Sequence, residues 1–86
     1  MTGHVDGNVL AGPLSELFRF DPTTASARCA SCGDVSVLAR AMVYVEDHGL
    51  IVRCCTCDDV LMIVVQEPEG SSIDLTGMSW LRVRRP

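Results

Sequence analysis

The chain has 86 residues and a formal charge of −4, with 48% apolar residues but only 5% aromatic ones. That length predicts one domain, residues 1–86, with an aliphatic core that a metal, disulfides or a partner commonly supplements. The acidic balance disfavours generic attraction to nucleic acid or anionic lipid, and the charged fraction of 21% is not that of a disordered chain.

The start, MTGHVDGNVL, has no basic segment, apolar stretch or small-residue cleavage site. No signal peptide is read there, and a cytoplasmic location with reduced thiols is the expectation. In DGNVLAGPLSELF the residues Val9, Leu10, Pro13, Leu14, Leu17 and Phe18 recur at three- and four-residue spacing. That rhythm predicts an N-terminal helix over residues 5–19, capped by Asp6 and kinked at Pro13. Asp21-Pro22-Thr23-Thr24 reads as a turn.

Ser36 to Glu46 is rich in β-branched residues and predicts a strand. Asp47-His48-Gly49 supplies a turn, and Leu50 to Arg53 returns as the second arm of a hairpin. Val60 to Gln66 is a third strand, apolar on both faces, which requires cover on both. The helix is one candidate cover; the tail with Met78, Trp80 and Leu81, or a second copy of the chain, is the other. The apolar run Val60–Val65 is too short for a bilayer span, which takes about 20 helical residues. Glu67 to Ser72 breaks this strand, and residues 73–84 read as one or two short strands with a bend at Thr76-Gly77.

An internal repeat overlies these elements. Arg28 to Val35 reads RCASCGDV and Arg53 to Val60 reads RCCTCDDV. Without a gap, Cys29 and Cys32 superpose on Cys54 and Cys57, and Cys55 falls opposite Ala30. In each C-x-x-C knuckle two thiolates on a tight turn aim at one point, and two knuckles joined by a hairpin close a tetrahedron. The Cys32–Cys54 interval is one residue longer than the usual range for paired knuckles. Cys29, Cys32, Cys54 and Cys57 are therefore the expected metal ligands; a disulfide framework and unrelated core cysteines are the alternatives. Zn²⁺ is the expected ion, with iron as the alternative. Four thiolates and one divalent ion add −2 to the chain, giving about −6 in all.

Arg28 and Arg53 each precede a first ligand and stand either near the site's negative charge or as solvated strand residues. Cys55 is either a small packed hydrophobe or a redox-active neighbour. Gly33 follows the first knuckle, where a left-handed backbone is common, and Asp58 takes that place in the second. Asp34 and Asp59 read as turn residues. His48 belongs to the hairpin tip, about 20 Å of extended chain from the knuckles, and His4 coordinates nothing that can be specified.

The paired knuckles with an intervening hairpin resemble a zinc ribbon, over residues 25–66. DGNVLAGPLSELF, RCASCGD and LIVRC together are similar to a family of short bacterial zinc-ribbon proteins of unknown function. The resemblance implies a small β-rich α+β fold, with an antiparallel hairpin or three-stranded sheet plus the N-terminal helix. It places the ligands at Cys29, Cys32, Cys54 and Cys57 and implies no activity. Rubredoxins share paired C-x-x-C-G knuckles and bind iron, but their aromatic core is missing here.

A site of four cysteines leaves no open coordination position, and no nucleophile–base pair or phosphate-binding loop is evident, so no enzyme is expected. The leading expectation is a protein-interaction module, binding a protein partner or itself through Val60–Val65. A nucleic-acid-binding ribbon is the alternative, carried by Trp80, Arg82, Arg84 and Arg85, and a rubredoxin-like redox protein is the third. No membrane association is expected.

Overall fold

The computed structural model describes residues 4–11 and 22–83. Among them the strands are β1 (Val5–Asp6), β2 (Ser26–Cys29), β3 (Val35–Val37), β4 (Met42–Glu46), β5 (Gly49–Arg53), β6 (Val60–Glu67), β7 (Gly70–Asp74) and β8 (Met78–Arg82). They form two antiparallel sheets, one of five strands in the order β1-β4-β5-β6-β7 and one of three in the order β3-β2-β8.

This architecture corrects the expected ribbon with an N-terminal helix. Val5 and Asp6 pair with Val43 and Met42 as an edge strand. Gly7–Leu10 is a 3-10 turn, and the Asp6 side chain accepts from Asn8 N. The cap is where the sequence suggests, but Gly7 and Asn8 are poor helix formers, and the short polar side chain of Asp6 favours a local turn. Leu10 is fully buried. The rest of the expected helix, residues 12–19, lies outside the described residues. Two further 3-10 turns lie among the described residues, Pro22–Thr24 and Leu38–Arg40.

The stretch from Ser36 to Glu46 is not one strand. Val35–Val37 belongs to the small sheet, Leu38–Arg40 turns, and Met42–Glu46 belongs to the large one. The turn buries Leu38, whose N–H donates to Ala25 O at 2.8 Å, so the chain changes sheets on a buried pivot. The β4–β5 hairpin turns on Asp47 and His48, with Glu46 opposite Gly49.

The core lies between the sheets. Val43, Val52 and Met62 are cross-strand neighbours on the inner face of the large sheet, joined by Leu50 and Val64, and all five are buried. The small sheet contributes Ala27, Cys29 and Met78. The opposite face of β6 is only partly covered: Ile63 is half-buried and Val65 exposed, beside half-buried Ile51 and Tyr44. The tail does not lie over this face. Its strand β8 pairs edge-on with β2 instead.

Candidate metal centre

Each knuckle grows from the end of a strand and repeats the same backbone geometry. In the first, Cys29 N donates to Asp34 O at 2.9 Å and Gly33 N donates to Cys29 O at 2.9 Å. In the second, Cys54 N donates to Asp59 O at 2.8 Å and Asp58 N donates to Cys54 O at 3.0 Å. The residue that reverses the chain has a positive φ in both, +80° at Gly33 and +69° at Asp58. Each strand leading into a knuckle also faces a bulged partner. Ser79 is the extra residue between Met78 and Trp80 opposite β2, and Leu61 is the extra residue between Val60 and Met62 opposite β5.

The topology brings the two knuckles face to face. The Sγ atoms of Cys29, Cys32, Cys54 and Cys57 all lie within 4.8 Å of one another. Across the knuckles, Cys29 and Cys57 are 3.6 Å apart and Cys32 and Cys54 are 3.7 Å apart. A disulfide needs about 2.0 Å. A tetrahedron with metal–sulfur bonds of about 2.3 Å has edges of about 3.8 Å, so the donor set fits one tetrahedral ion. Each knuckle gives one ligand to each short edge. Cys29 and Cys54 are buried, Cys57 is half-buried and Cys32 is exposed, which leaves one corner near water.

Amide donors support the sulfurs. Thr56 N lies 3.3 Å from Cys54 Sγ and Asp34 N lies 3.5 Å from Cys32 Sγ. Burial acts to raise the Cys29 thiol, but the amides of Cys32 and Ser31 and the thiols of Cys57 and Cys32 outweigh it and bring it to about 7. At Cys57 the Asp59 amide acts downward, but burial and the three neighbouring thiols prevail and push it up to about 12. At Cys32 the Asp34 amide also acts downward, and burial with the Cys54 and Cys29 thiols takes it above its ordinary value. Four thiols at this spacing cannot all ionise without a cation, since like charges in one site oppose each other.

The two arginines brace the turns. Arg53 Nη1 donates to Asp58 O at 2.9 Å, and its guanidinium lies 5.5 Å from the Tyr44 ring centre. Arg28 sits over Gly33, where a Cβ would come 3.2 Å from its Nη2. Each thus reaches the left-handed residue of its own knuckle. Cys55 is outside the sulfur cluster, with its Sγ 3.8 Å from Ser36 Oγ and 3.9 Å from Thr56 Oγ1. Asp34 accepts from Ser36 Oγ at 2.6 Å and joins no ligand group. His48 is exposed at the hairpin tip, and His4 stacks obliquely on Tyr44 at 5.7 Å.

One contributor escapes sequence reading. Gly77, there only a bend residue, joins the two halves. Its carbonyl accepts from Ala30 N at 3.0 Å, inside the first knuckle. A Cβ on it would lie 1.9 Å from Val60 O, at the exit of the second. The available signal is Asp74 three residues earlier. Asp74 Oδ1 accepts from Thr76 N at 2.9 Å and from Thr76 Oγ1 at 2.7 Å, and these two bonds hold its carboxyl below the usual range.

No helix among the described residues is long and apolar enough to cross a membrane. Comparison with curated proteins returned no match, and neither did comparison with solved structures. The sequence does match one family over residues 1–86, and the chain that builds this four-cysteine centre belongs to it: a family of unknown function (DUF6510).

Proposed function

We propose that the four cysteines hold a single structural Zn²⁺ and that the protein is a non-catalytic interaction module. The observation that carries this reading is the pair of cross-knuckle sulfur separations, 3.6 and 3.7 Å, inside a cluster no wider than 4.8 Å. Four thiolates fill a tetrahedral ion, so water and substrate have no coordination position from which to react. The ion's work is mechanical. One knuckle leaves the small sheet and the other the large sheet, and an ion between them ties the sheets together. Structural sites of this type supply about 10 kcal/mol at neutral pH.

Native mass spectrometry with elemental analysis tests the assignment. The purified protein carries one zinc, Cys54→Ala carries none, and Cys55→Ala still carries one. An ion retained by Cys54→Ala but lost from Cys55→Ala overturns the ligand set. A red ferric protein replaces zinc with iron at the same four sulfurs.

A further inference from the structure

The outer face of the three-stranded sheet differs from the rest of the molecule. Six residues occupy register positions on it: Ser26 and Arg28 from β2, Val35 and Val37 from β3, and Trp80 and Arg82 from β8. The residues alternating with them, Ala27 and Cys29, point into the core. Val35 is 52% exposed, Val37 is 37% exposed, and both arginines are exposed. Arg28 stands directly opposite Trp80, and the Arg82 guanidinium lies 4.8 Å from the Trp80 ring centre.

Charge is unevenly divided. No carboxylate holds a register position on this face, whereas the other sheet carries Glu46 and Asp47 at one hairpin tip and Glu67 and Glu69 at the next. Arg28 and Arg82 are the charged residues at the register positions of this face. Tryptophan and arginine on an open, partly apolar surface are the residue types that anchor protein interfaces.

We propose that this face docks an extended, acidic segment of a partner protein, with carboxylates two residues apart and apolar side chains beside them. The idea rests on the interaction-module reading above and names its surface. Arg28 and Arg82 are diagonal neighbours across β2 and β8, about 7–8 Å apart at the backbone. Side chains two residues apart on an extended strand are spaced by about 6.6 Å, so alternate carboxylates match the spacing of the two arginine positions. Apolar side chains further along the same side of the segment then reach Val35 and Val37, which stand opposite Arg28 and Ser26.

A single-stranded nucleic acid fits less well. It stacks successive bases on several aromatic rings, and this face has one, already stacked by Arg82. The chain's charge of −4 opposes a polyphosphate approach.

Trp80 is the single tryptophan and reports on this face directly. The zinc-loaded protein is titrated with a capped heptapeptide, Glu-Ser-Glu-Ser-Val-Ser-Val, which carries both side-chain types on one side when extended, with the same peptide carrying lysine for glutamate, and with a thymidine 12-mer. Trp80 emission and the anisotropy of a labelled probe are followed at low and moderate salt. The expected result is saturable binding of the glutamate peptide alone, weakened about fivefold or more by Arg82→Gln. Arg82 touches no ligand, so that variant keeps its zinc, and metal content confirms the fold in the same sample. Equal affinity of Arg82→Gln and wild type overturns the proposal, as does a glutamate peptide that leaves Trp80 unchanged. Tight, steeply salt-dependent binding of the 12-mer alone replaces it with a nucleic-acid surface. None of these results alters the zinc stoichiometry, so failure here leaves the structural-metal reading separately testable.

Discussion

Asp58 holds a φ of +69°, a conformation that costs an L-residue about 1–2 kcal/mol and that aspartate tolerates better than most. Its counterpart Gly33 meets the same demand without a side chain. The repeat therefore contains its own control experiment. Asp58→Gly is expected to stabilise the loaded protein by up to about 1 kcal/mol, and Gly33→Ala to destabilise it by a similar amount. Thermal melting of the two variants decides the matter; a stabilised Gly33→Ala contradicts the argument. The thiols set a second expectation. Cys57, near 12, and Cys32, above its ordinary value, hold their protons at neutral pH, so an incoming ion displaces at least these two. Protons compete with the metal, so affinity rises with pH and falls as the solution is acidified. A chromophoric chelator competing at pH 6, 7 and 8 measures the slope, and a flat response excludes thiolate ligation. At this scale the sequence is informative about which four cysteines cluster, because the repeat aligns Cys29 with Cys54 and Cys32 with Cys57 without a gap. It is silent about Arg28 and Arg53 as turn braces, because that role depends on where a guanidinium lands.

At the scale of elements, the β7–β8 turn is the least obvious part of the centre. Gly77 presses its backbone against Val60 O, where an added Cβ would lie 1.9 Å away. Gly77→Ala is expected to cost about 1–3 kcal/mol through overpacking, while an alanine at exposed Ser79 leaves stability within about 0.5 kcal/mol. Denaturant midpoints of the two loaded variants compare them; equal midpoints remove Gly77 from the account. The β4–β5 hairpin was legible because Asp-His-Gly sits between two β-branched runs. The division of Ser36 to Glu46 between two sheets was not, since alternation marks a strand without saying which sheet it joins. The helical rhythm of DGNVLAGPLSELF misled over its first residues for a related reason. Apolar spacing finds Leu10, which is buried, but Gly7 and Asn8 decide the local backbone.

At the scale of the whole molecule, two sheets share one small core and meet at the knuckles. Taking the metal away with a strong chelator is expected to unfold the protein cooperatively, because the core of the small sheet is largely alanine and cysteine. Hydrogen exchange at a limiting chelator concentration should release the amides of β2, β3 and β8 before those of β5 and β6. Undiminished protection without the ion refutes a structural role. The placement of the ligands also has a topological consequence. An ion held between Cys29 and Cys57 closes residues 29–57 into a ring with two free arms. The pairing of Ser26 with Arg82 joins positions fifty-six residues apart along the chain. Routed through the ion, the path is about three residues from Ser26 to Cys29 and about twenty-five from Cys57 to Arg82, half as long. Halving a flexible loop lowers its closure cost by about 0.6 kcal/mol. An ion there would be a shortcut as well as a clasp, and the strand it would bring nearest to home, β8, is the one that carries Trp80 and Arg82.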